Sequence, residues 1–82
     1  MEFAEAFGLV TQARRQRMGL SQSDLASKMG VHRNLISMLE RGELASVQDY
    51  ADKVACALGC RTGQMLSATQ RVIEGFEQDQ DT

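Results

Sequence analysis

The chain has 82 residues, 43% of them hydrophobic, with no Pro, no Trp and a formal net charge of −2. That length holds one small domain, and no apolar run approaches the ~18 residues of a membrane span. Two Cys and one His make a poor metal site, and there is no Gly-rich phosphate loop, His-Glu-X-X-His pattern or Gly-X-Ser-X-Gly elbow, so neither an enzyme nor a cofactor is expected.

The N-terminal stretch MEFAEAFGLVTQARR brings its acids first and its Arg residues late. A secretory signal has the reverse order, so the cytoplasm is the expected location. The pattern predicts a first helix over residues 2–17. Phe3, Ala6, Phe7, Val10 and Ala13 share one face, with Arg14 at its border. Gly8 interrupts it at modest cost. Arg14, Arg15 and Arg17 close it, where positive charge complements the helix dipole. Arg17 is also a candidate for phosphate contact.

Two short helices follow, over residues 22–29 and about 33–41. Leu25, Ala26 and Met29 are the apolar positions of the first. Leu35, Ile36 and Leu39 are those of the second, with Ile36 and Leu39 the better core candidates. Ser21 is a good N-cap, with Asp24 three positions on as its capping-box partner. Gly30 sits where a chain leaving a helix needs positive φ, and Gly42 stops the second helix. Two helices joined by such a turn form a helix-turn-helix, which presents its second helix to a DNA major groove.

The residues Leu20-Ser21-Gln22, Leu25-Ala26, Gly30-Val31, Ile36-Ser37 and Glu40-Arg41-Gly42 stand together with no gap. In this the chain resembles the helix-turn-helix of lambdoid phage repressors, Cro proteins and the wider Xre-type regulators. The resemblance extends more loosely from about residue 7 to 66. It implies an all-α, lambda-repressor-like bundle of five helices that binds double-stranded DNA. By the resemblance, Gln22 lies against the DNA backbone, with Ser21, His32, Arg17 and Arg41 as further phosphate candidates. His32 takes an N-cap place where the family usually has Ser or Thr, and imidazole is the poorer cap. The exposed start of the recognition helix carries Arg33, suited to guanine, and Asn34, suited to adenine. Ser37 and Met38 follow one turn on.

The resemblance also implies that Glu40 pairs with an Arg near the end of the first helix. A gap-free count back from Gly19 selects Arg15. The phase of the apolar stripe selects Arg14 and is given the greater weight. The acidic total does not oppose DNA binding. Residues 1–42 carry six Lys or Arg against four acids, and residues 43–82 carry three against seven. A local basic face is what phosphate contact requires.

Ser46 is expected to open a fourth helix with Asp49 as a second capping box. Its buried stripe is Val47, Tyr50, Ala51, Val54, Ala55 and Leu58, and Gly59 ends it. Cys56 and Cys60 are expected as buried or half-buried thiols. A fifth helix starts near Thr62, whose hydroxyl can cap it. Met65, Val72, Ile73 and Phe76 exceed what a small domain needs and are the expected dimerisation stripe. The other place for that stripe is against Phe3 and Phe7 within one monomer. Residues 1–76 thus form one domain that includes the dimerisation helix, and the acidic tail 77–82 is expected to be disordered.

The function that follows is a sequence-specific transcriptional regulator, a homodimeric repressor on a palindromic operator. With no room for a ligand-sensing domain, its regulation is expected to come from concentration, dimerisation or a protein partner. The competing class is an antitoxin-like module whose main partner is another protein, met through the acidic second half.

Overall fold

The computed structural model describes residues 1–75 with their side chains and carries the last helix to Asp81. The side chains of residues 76–81 and all of Thr82 lie outside the described residues, and with them the expected role of Phe76 and the expectation for the acidic tail. Among the described residues there are five α-helices, one short 3-10 helix and no strand. They are α1 (Phe3–Arg17), α2 (Gln22–Met29), α3 (Arg33–Glu40), a 3-10 helix (Val47–Tyr50), α4 (Ala51–Ala57) and α5 (Thr62–Asp81). No described helix is long and apolar enough to cross a membrane.

One core joins all five helices. Phe7, Leu25, Ile36, Leu39, Val54 and Met65 are wholly buried. Each such side chain contributes roughly 1.5–3 kcal/mol of transfer free energy. α1 packs on α3 and α5, and α2 packs on α3 and α4. The helix-turn-helix is thereby held from both ends.

The buried face of α1 is rotated from the predicted one. Ala6, Phe7, Gly8, Val10, Thr11 and Arg15 are buried, while Ala13 is exposed. Thr11 is the reason. Its hydroxyl donates to Phe7 O at 2.8 Å, which satisfies it inside the core. A Thr read as polar therefore occupies an apolar position.

α4 also departs from expectation. Ser46 makes no side-chain cap bond. Its carbonyl instead accepts from the Asp49 N–H at 3.0 Å, the bond of a 3-10 turn. The chain enters α4 through that turn, and Tyr50 is half-buried rather than buried. Cys60 is half-buried against the core, and Cys56 is exposed.

At the start of α5, Gln64 Oε1 reaches back to accept from the Arg61 N–H at 2.8 Å, the reciprocal bond of a capping box. Thr62 does not cap. Its hydroxyl donates to Asp52 Oδ1 and ties α5 to α4. Met65 is corrected from the dimerisation stripe to the monomer's own core, since it is fully buried. Val72 packs against that core as well. The reason is that α5 lies along α1, so Met65 joins the same core cluster as Phe7 and Val10. Ile73 is half-buried and stands outside the core cluster.

Candidate nucleic-acid interface

Local sequence fixes the entry to α2. The Asp24 N–H donates to Ser21 Oγ at 3.0 Å, and the Ser21 N–H donates to Asp24 Oδ2 at 2.9 Å. Both bonds of the capping box are made. They hold the Asp24 carboxyl below the usual carboxylate range, the backbone bond from Ser21 being the larger cause. Gly30 then ends α2 with φ 69°, a left-handed conformation that L side chains rarely adopt. Its N–H and that of Val31 bond back to Ser27 and Ala26, so the turn into α3 is short and closed.

His32 caps α3. Its Nδ1 accepts from the Asn34 N–H at 3.1 Å. The neutral imidazole has one proton, so that bond leaves it on Nε2. His32 is exposed, and its outer nitrogen is therefore a donor at the start of α3.

α3 divides cleanly. Ile36 and Leu39 are fully buried, and Glu40 is buried beside them. Arg33, Asn34 and Met38 are exposed, and Leu35 and Ser37 are half-buried. Among the described residues, the side chains of Arg33, Asn34 and Ser37 make no hydrogen bond or ion pair within the protein. Met38 leaves 37% of its surface exposed on the same side.

What holds α3 is a buried polar cluster. Arg15 Nε donates to Glu40 Oε2 at 2.7 Å and Arg15 Nη2 to Glu40 Oε1 at 3.0 Å. The third guanidinium nitrogen donates to Leu20 O at 2.8 Å. The two side chains are only 10% and 3% exposed. Gln22 Nε2 donates to Glu40 Oε1 at 3.1 Å, so α2 joins the cluster. The hydrogen bonds to Glu40 raise the Arg15 pKa above its ordinary value, against the opposing effect of burial.

The partner of Glu40 is thus Arg15, and the weight given to Arg14 is corrected. The gap-free count was the right register. Thr11 is buried, and Arg15, one turn on, lies on the same inward face. Arg14 and Arg17 instead line the groove between α1 and α5. Arg41 is exposed and pairs with Glu43 at 3.1 Å, a contact worth ~0–1 kcal/mol.

Gly8, read from the sequence only as a modest-cost interruption of the first helix, has a packing role. A Cβ there would stand 2.5 Å from Leu39 O and 2.7 Å from Glu40 O. Only glycine lets α1 approach the end of α3 so closely. The available signal was Gly8 itself, two helical turns before Arg15.

The sequence model described as Helix-turn-helix matches residues 12–64. No curated protein sequence matches the chain. Two crystal structures of the clp gene regulator ClgR from Corynebacterium glutamicum are similar to it. One superposes with a TM-score of 0.90 at 23% identity, over 99% of this chain and 86% of that one. The other gives 0.80 at 25% identity, over 88% and 94%.

Proposed function

The chain belongs to the Helix-turn-helix family, and on that premise we propose that it is a sequence-specific DNA-binding transcriptional regulator. It acts as a homodimeric repressor on a palindromic operator. The observation that carries the reading is the division of α3. One side is clamped by Arg15–Glu40, while Arg33, Asn34 and Met38 stand exposed on the other. The similar protein ClgR is a gene regulator, which supports the reading.

In this reading Arg33 donates two hydrogen bonds to guanine O6 and N7, and Asn34 reads adenine. Ser37 and Met38 touch a neighbouring base or a thymine methyl. Gln22, Ser21, His32 and Arg41 grip phosphates. Gln22 has a second amide hydrogen beyond the one given to Glu40, so it can brace α3 and hold a phosphate together. A helix-turn-helix monomer reads only a few base pairs, which is why two copies on a symmetric site are the usual solution.

The test is titration of the protein against its own promoter at several salt concentrations. Binding to a discrete palindromic site, weakening steeply with salt, is the expected result. Weak binding with no protected site, together with stoichiometric co-purification of another protein, favours the interaction module.

A further inference from the structure

The chain has one His, and it stands at the entry to α3. His32 Nδ1 accepts from the Asn34 N–H at 3.1 Å, and among the described residues that N–H has no other acceptor. The next amide, of Leu35, donates to His32 O at 3.0 Å. The first turn of α3 thus takes two bonds from one residue. Arg33 and Asn34 lie within that turn, and both are exposed.

An acceptor nitrogen belongs to the neutral ring alone. A proton taken from water onto Nδ1 makes both nitrogens donors, so the imidazolium cannot hold the Asn34 N–H. It also sets a positive charge at the positive end of the helix dipole. A Ser or Thr cap has no such dependence, because a hydroxyl accepts at every pH in this range.

No acid of the neighbouring elements offsets the new charge. The charged groups of the helices packed on α3 are Glu5, Arg14, Arg15 and Arg17 on α1 and Asp24 and Lys28 on α2. α3 itself carries Arg33 and Glu40. Glu40 is taken by Arg15, and Asp24 by Ser21. Glu5 lies against Gly42, past the far end of α3. Among the described residues no carboxylate pairs with the ring. The partner left for an imidazolium is a DNA phosphate, which is the same in every sequence.

We propose that His32 is a positioning residue whose protonation exchanges base preference for phosphate grip. The neutral ring orders the turn that carries Arg33 and Asn34. The protonated ring releases that turn and adds a cation beside the DNA backbone. This rests on the DNA-binding reading. Imidazole changes charge between about pH 5 and 8, above the ordinary carboxylate range.

The test has two readouts on the whole chain. In the free protein, nuclear magnetic resonance follows the Asn34 amide while the ring is titrated. The amide is expected to lose its protection from hydrogen exchange as His32 takes up its proton. In competition binding, the sequence preferred at about pH 7.5 is set against a shuffled duplex of equal length. The ratio of the two affinities is expected to fall on the order of fivefold by about pH 5.5, the factor that one lost N-cap is worth. His32→Ser is expected to bind both duplexes more weakly, with a ratio that stays constant over the same range. An Asn34 amide indifferent to protonation of the ring overturns the proposal. A ratio that holds in the unaltered protein overturns it too. So does a ratio that falls equally in His32→Ser, since another group then titrates. Failure to prefer any sequence at about pH 7.5 overturns the DNA-binding reading itself. The Asn34 amide then still shows whether the cap answers to protons, which separates the two failures.

Discussion

Gly8 lies directly against the backbone of Glu40, so that α1 and the end of α3 meet without a side chain between them. Ala is the better helix former by ~1 kcal/mol. Here its methyl group would press on two carbonyl oxygens that belong to backbone. Gly8→Ala is expected to lower stability by ~1–3 kcal/mol. For a domain of this size each kcal/mol moves Tm by about 4–8 °C. A melting curve with raised Tm would show that the two helices are not in contact.

Arg15 holds the same junction by charge. Arg15→Ala leaves the buried Glu40 without its charge partner and with only the Gln22 bond, a loss of ~3–5 kcal/mol. Arg15→Lys is expected to be poor as well, since an ammonium cannot reproduce the two-pronged bond. Arg14→Ala is expected to cost less than ~1 kcal/mol in the same urea titration. Equal losses at the two positions would sink the assignment to Arg15.

The capping box of α2 gives a dependence on acid. The Asp24 carboxyl is held below its usual value by the Ser21 N–H and then by the Ser21 hydroxyl. A depressed carboxyl stabilises the fold fully above its unfolded pKa, ~3.9. That contribution is lost as pH falls through the lower, folded value. Asp24→Asn is therefore expected to flatten the Tm profile below about pH 4 and to lower it near neutrality. A variant whose profile overlays that of the unaltered protein contradicts this.

His32 caps α3 and, in the proposed reading, also grips a phosphate, and one substitution separates the two. Ser is the better N-cap, so His32→Ser is expected to match or exceed the original Tm. It removes the imidazole Nε2 donor, so operator affinity is expected to fall with base preference unchanged. Undiminished affinity would make His32 a cap and nothing more.

The legible parts of the fold were those set by local chemistry. The bounds of α2 follow from Ser21, Asp24 and Gly30, each of which acts within four residues. The buried positions of α3 follow from a three-residue spacing. What was misread depends on contacts between distant segments. Thr11 looks polar until Phe7 O accepts its hydroxyl, and with Thr11 on the buried face it is Arg15, not Arg14, that points inward. Met65 looks surplus until α5 is seen to lie along α1. Ser46 and Asp49 have the spacing of a capping box, but the chain makes a 3-10 turn there instead. On α3, the exposure of Arg33 and Asn34 was readable because residues at an open helix start need no partner to be placed. The bond from Gln22 to Glu40 spans eighteen residues and was not.

The exposed start of α3 is the centre of the account, and selection from randomised duplex DNA tests it most directly. The unaltered protein is expected to enrich a palindrome whose half-sites lie about one helical turn apart. Arg33→Ala is expected to lose ~1–3 kcal/mol and to relax preference at one base pair in each half-site. Uniform weakening on every sequence, with a smaller salt slope, would assign Arg33 to the phosphate backbone and contradict the base-reading role. Failure of the unaltered protein to enrich any sequence would contradict sequence-specific binding altogether.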